Sequence, residues 1–161
     1  MTVSMPAPIS SCARATSTEE AGYRIDYPLA AARNTRVIAL DAAAEVIVRA
    51  AADLEWGQAR FYVARDPGHD LVAMDGETVP LAGELEQSNT VMMVSTTGEN
   101  AEAAATIGAA CKVRGIMTAG LVVTPGRLSS AALLALRPYA RILLVPAEDD
   151  DLVELLRATR A

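Results

Sequence analysis

The sequence predicts an α/β domain: an open, doubly wound, mostly parallel Rossmann-like sheet with helices on both faces. Segments apolar from end to end, such as Val37-Ile38-Ala39-Leu40 and Val91-Met92-Met93-Val94, alternate with segments whose apolar residues recur at helical spacing. A strand apolar throughout is buried on both faces, the condition of a parallel sheet covered by right-handed helical crossovers. Composition agrees. With 52% hydrophobic residues but only 4% aromatic, the core must be built from Ala, Val, Leu, Ile and Met, whose small side chains let helices approach a sheet closely. At 161 residues the chain falls in the range of one domain, able to fold without disulfides or a structural metal.

The elements follow in order. Residues 1–33 hold Pro6, Pro8, Pro28 and a Ser/Thr cluster with little periodicity, and read as a flexible N-terminal arm. The single α/β domain is expected over residues 34–161. Its first strand is Thr35–Leu40, and a helix follows over Ala42–Trp56. Val46, Ile47, Ala50, Ala51 and Leu54 lie at helical spacing there, Glu45, Arg49 and Asp53 form a charged row, and Gly57 reads as the C-terminal cap. Strand Arg60–Ala64 ends at the turn Asp66-Pro67-Gly68, and a short strand Leu71–Met74 at Asp75-Gly76. Val79–Gln87 is expected to be a short helix or an irregular crossing. Strand Thr90–Val94 opens into Ser95-Thr96-Thr97-Gly98-Glu99-Asn100, then a helix Ala101–Val113 closed by Gly115. Strand Met117–Val123, a turn at Pro125-Gly126, helix Ser129–Leu136 and strand Arg141–Val145 complete the sheet. Asp149, Asp150 and Asp151 begin the last helix, where carboxylates complement the positive end of the macrodipole.

The formal net charge is −6 and the arginines are scattered singly, so no basic stripe favours nucleic acid. The same acidity disfavours an anionic membrane surface. No segment reaches the length of an apolar membrane helix. Ile9-Ser10-Ser11-Cys12 loosely resembles a lipoprotein cleavage box, but Met1–Pro8 supplies neither a basic start nor an apolar run. A cytoplasmic location is expected. Cys12 and Cys111 give neither a disulfide framework nor a zinc spacing.

Ligands of open α/β sheets sit beyond the carboxyl ends of the strands, where strand order reverses. For the order 3-2-1-4-5-6, that crevice lies between the first strand and Thr90–Val94. One wall is then Asp41–Ala44, the other Ser95–Asn100. Thr96, Thr97 and Asn100 offer polar groups at a helix start, suited to an anion. Ser, Thr and Asn before a helix are equally ordinary caps, and Glu99 would already occupy the positive helix end. Asp41-Ala42-Ala43-Ala44 contains no glycine. Phosphate loops need glycines so that the backbone can touch the ligand, so ordinary dinucleotide binding is disfavoured. The candidate ligand residues are Asp41, Ser95, Thr96, Thr97, Gly98 and Asn100.

The order of segments resembles the nucleotide-binding half of the FtsZ/tubulin family. Val37–Leu40 through Gly57 to Phe61-Tyr62-Val63 is similar to its first strand, glycine loop, helix and second strand. Asn89–Pro125 carries the more specific likeness: Thr90–Val94, Thr97-Gly98, Ala103-Ala104-Ala105, then Arg114-Gly115-Ile116-Met117-Thr118 into an apolar strand. Arg141–Asp149 looks like a strand ending in an Ile-Pro-Asn-Asp type of turn. The motifs that give the family its chemistry are degraded. Where the family has Gly-Gly-Gly-Thr-Gly-Thr-Gly, this chain keeps only Gly98, followed by Glu99, Asn100, Ala101 and Glu102. The chain stops about where the family's long central helix should start, so the second domain that completes GTP hydrolysis is expected to be missing. The resemblance therefore implies a reduced relative that has lost GTP hydrolysis. Ser95–Glu102 is also similar to the Ser-x-Ser-Gly-x-Thr-x-Glu phosphosugar loop of sugar isomerase (SIS) domains, matching at Ser95, Gly98 and Glu102.

Elsewhere the chemistry is sparse. His69, in Asp66-Pro67-Gly68-His69-Asp70, has no partner His or Cys nearby and reads as a turn residue rather than a base or ligand. Cys111 lies on the apolar face of its helix, with no histidine to activate it. No catalytic residue, metal or cofactor is assigned. The expectation is a noncatalytic or regulatory binding and assembly module, self-associating as a homo-oligomer through an Ala/Val-rich surface. The alternative is a small enzyme or sensor that binds a phosphorylated metabolite or sugar phosphate, a small anionic ligand, at Ser95–Asn100.

Overall fold

The computed structural model describes residues 33–124 and 126–161. The expected arm over residues 1–33 lies, but for Arg33, outside the described residues, as does Pro125 of the Pro125-Gly126 turn. The elements are β1 (Thr35–Ala39), α1 (Ala42–Ala52), β2 (Arg60–Ala64), β3 (Asp70–Ala73), β4 (Thr78–Pro80), α2 (Leu81–Glu86), β5 (Thr90–Ser95), α3 (Ala101–Arg114), β6 (Met117–Val123), α4 (Ser130–Leu136), β7 (Ile142–Ala147) and α5 (Asp151–Ala158). They form an α/β fold with one mixed sheet of order β4-β3-β2-β1-β5-β6-β7. β2, β1, β5, β6 and β7 run parallel, while β3 and β4 add an antiparallel edge.

Because side chains alternate across a strand, β1 feeds two cores. Val37 and Ala39 pack with Ala44 and Val48 of α1 and with Leu152 and Leu156 of α5. Ile38 and Leu40 pack with Leu81 and Leu85 of α2, Ile107 and Cys111 of α3, and Leu136 of α4. All five residues of β1 and all six of β5 are buried. Unbroken apolar runs therefore mark the central strands, as their burial on two faces requires.

The structure departs from the sequence reading in two places. α1 ends at Ala52, not Trp56: the Trp56 indole N–H donates to the Ala51 carbonyl at 2.8 Å. That bond turns the chain back against the helix end, so Asp53 rather than Gly57 caps it. Val79–Gln87 divides into β4 and the short helix α2. The hairpin register Leu71↔Val79 pulls Val79 into the sheet edge, and Pro80, which cannot donate to a ladder, marks the strand's end. Pro146 lies in β7 at the opposite edge, so both edge strands of the described sheet carry a proline, a residue that discourages further strand pairing. No helix among the described residues is long and apolar enough to cross a membrane.

Candidate functional site

Strand order reverses between β1 and β5: β1 lies between β2 and β5, with its first crossover leading one way and the later ones the other. The loops leaving these two strands meet. Ala39 pairs with Val94, and the Leu40 N–H donates to the Val94 carbonyl at 2.9 Å. Asp41 and Ser95 therefore arrive side by side, although 54 residues separate them.

Asp41 is the N-cap of α1 and only 6% exposed. Its Oδ1 accepts the Ala44 N–H at 2.9 Å, an ordinary capping bond. Its Oδ2 reaches across the crevice and accepts three more hydrogen bonds: the Ser95 hydroxyl at 3.0 Å, the Thr96 N–H at 2.8 Å and the Thr97 N–H at 3.1 Å. Burial raises the carboxyl pKa, but the donors of Thr96, Ala44, Thr97 and Ser95 together outweigh it and hold the group below its ordinary value. Asp41 is thus an anion bound by the protein's own backbone amides.

The second wall is fixed from a third side. Ser129 caps α4 by accepting the Ala132 N–H at 3.2 Å, and its hydroxyl donates to the Thr97 carbonyl at 3.0 Å. Gly98 has a φ of +79°, and a Cβ there would overlap the backbone of Ala131 and Ala132. The glycine is thus required by the close approach of this loop to α4, a purely internal contact. Thr97 Oγ1 accepts the Glu99 N–H at 3.4 Å, and Glu99 is exposed. Asn100 is the N-cap of α3, but its side chain makes no capping bond. The Thr96 hydroxyl oxygen is buried and without a hydrogen-bond partner among the described residues.

Asp41, Ser95, Thr96 and Thr97 are therefore joined in one network. Gly98 packs beside it, and the Asn100 side chain does not enter it. Two participants escaped the sequence reading: the Ala44 amide and Ser129. The signal for Ser129, its place immediately before a helix, indicates a cap but not the loop it grips.

No protein-family model matches this chain, and no curated protein matches it.

The remaining candidates for chemistry lie elsewhere. His69 is exposed in its turn, where its carbonyl accepts the Leu81 N–H at 2.8 Å. Cys111 is fully buried, and burial pushes its thiol up to about 11. Such a thiol is a core side chain rather than a nucleophile at neutral pH. Among the described residues, no three His, Cys, Asp or Glu side chains converge as a metal site would need.

Proposed function

We propose that this chain is a noncatalytic binding or assembly module on a doubly wound, Rossmann-like scaffold whose anion site is filled by its own carboxylate. One observation carries the reading: Asp41 Oδ2 takes the Thr96 and Thr97 amides at 2.8 and 3.1 Å. An incoming phosphate at this loop would have to displace a buried, fourfold hydrogen-bonded charge. The glycine-free turn Asp41–Ala44 supports the same reading, since each Cβ obstructs the close backbone approach a phosphate loop requires. The strand reversal between β1 and β5 is what a doubly wound sheet would have. A reduced relative of the FtsZ/tubulin nucleotide-binding domain would fit this arrangement, its phosphate contacts replaced by an internal acid. Self-association belongs to the proposal, and Val46 and Leu134, 69% and 68% exposed, are surface it would bury.

Calorimetric titration with GTP, NAD, a sugar phosphate and inorganic phosphate tests it. No heat of binding is expected, and micromolar affinity for any of them overturns the reading. Sedimentation velocity over a range of concentrations tests self-association.

A second reading has one observation in its favour. The buried Thr96 hydroxyl lacks a partner among the described residues, as a side chain awaiting a ligand would. A phosphorylated metabolite sensed or turned over at Ser95–Asn100 would use it, and would appear in the same titrations as binding that Thr96→Val weakens.

A further inference from the structure

At the opposite ends of the strands from Asp41, a cavity of about 340 Å³ opens between the C-terminal turn of α3 and the chain that links α4 to β7. We infer that this cavity binds a small organic anion with a planar apolar body, an aromatic carboxylate in its simplest form.

Gly108 lies in the middle of α3, and a Cβ there would overlap the ring of Tyr139. The absent side chain lets the ring lie directly against the helix backbone, which fixes it as one side of the cavity. Ile116, 8% exposed, and Pro138 supply further apolar surface. An aromatic face beside aliphatic groups suits a flat apolar ligand.

Lys112 stands four residues beyond Gly108, on the same side of α3, and Arg141 follows Tyr139 by two residues. Both line the cavity, and among the described residues no carboxylate does. The ion pairs among the described residues are Arg36–Glu84, Arg49–Glu45 and Arg157–Glu154, so neither of these cations is neutralised by one. Lys112 also complements the negative end of the α3 macrodipole. That does not account for Arg141, which precedes a strand. In a chain of net charge −6, two cations lining one cavity beside Tyr139, Ile116 and Pro138 are complementary to an anion with an apolar body. The volume lies at the small end of ligand pockets, which are on the order of 300–1,000 Å³.

The test is titration of the full ¹⁵N-labelled chain with phenylacetate, with phenylacetamide, acetate and inorganic phosphate as controls. Phenylacetate is expected to give saturable shifts at the amides of Gly108, Gly115 and Tyr139. Phenylacetamide should bind at least about tenfold more weakly, a difference of about 1.4 kcal/mol. The double variant Lys112→Gln/Arg141→Gln changes two exposed side chains, and it should lose affinity for phenylacetate to the same extent while keeping a cooperative thermal transition, lowered only by the helix-end charge that Lys112 supplies. Equal affinity for the amide would show that the cations are not used. Equal shifts from acetate or phosphate would show that the apolar walls are not used. Shifts at Ser95–Gly98 in place of Gly108 and Tyr139, or no saturable shift at all, would also overturn the assignment.

Discussion

Two carboxylates, Asp41 buried and Glu84 partly buried, are held near opposite ends of β1 by different means. Asp41, just beyond the strand's end, is surrounded by neutral donors: three backbone N–H groups and one hydroxyl. Glu84 of α2 is held near the strand's start by side chains. Its Oε2 accepts from Arg36 Nε at 2.9 Å and from the Tyr62 hydroxyl at 2.6 Å. Burial, followed by the bond to Glu84 and its charge, pushes the Tyr62 hydroxyl up to about 12. Glu84 pairs with a cation and fastens a helix to the sheet. Asp41 has no cation among its hydrogen-bond partners in the described residues and joins two loops where ligands of such sheets usually bind. Backbone amides gathered around a point are an anion site, and here that site holds a residue of the chain itself.

Removing each acid separates the two cases. Asp41→Ala leaves four donors without their acceptor and should cost about 4 kcal/mol in urea unfolding, since buried groups stripped of a charged partner are expensive. Inorganic phosphate should restore part of that loss in the variant and do nothing for the parent chain. Restoration in neither protein would mean that the amides do not form an anion site once vacated.

The wall that the carboxylate grips can be moved instead. Gly98→Ala places a side chain at positive φ and against Ala131 and Ala132, and a loss of about 3 kcal/mol is expected. A neutral result would show that α4 yields easily and that the loop is not clamped.

Glu84→Gln keeps the shape but leaves Arg36, 3% exposed, without a counter-charge. About 2 kcal/mol should be lost, and the late-titrating tyrosine should move toward the ordinary value of about 10. Alkaline difference spectroscopy reads this directly, and a tyrosine that stays near 12 would show that burial alone sets it.

Acid sharpens the contrast. The folded pKa of Asp41 is depressed, so its contribution is complete above the unfolded value of about 3.9 and is lost as pH falls through the folded value. Stability of the parent should therefore drop more steeply below pH 4 (roughly the unfolded carboxyl range) than that of Asp41→Ala. Parallel acid profiles would contradict the network. The smallest effect belongs to Thr96→Val. Its hydroxyl oxygen has no partner to lose among the described residues, so stability should stay level or rise by up to about 1 kcal/mol. A clear loss would reveal a hydrogen bond at Thr96.

Much of the architecture was legible along the chain because its causes are local. Val37–Leu40 and Val91–Val94 are apolar on both faces, and only a doubly covered strand tolerates that. Gly115 ends α3 with a φ of +67°, as its position after a helical run predicts. β4 was not legible. Thr78-Val79-Pro80 has no strand pattern of its own and becomes a strand by pairing with β3.

The candidate site divides in the same way. The sequence by itself determined that one wall would lack glycine and the other would be rich in hydroxyls, because residue types are local facts. Tertiary structure alone decided that the acid of the first wall satisfies the donors of the second. Asp41 and Thr96 are brought within 2.8 Å by the parallel pairing of β1 with β5, a contact between residues far apart in the chain. Periodicity and capping signals act over a few residues and carry no information about that pairing. The same limit applies to Tyr139, whose place against Gly108 depends on how α4 and β7 return to α3.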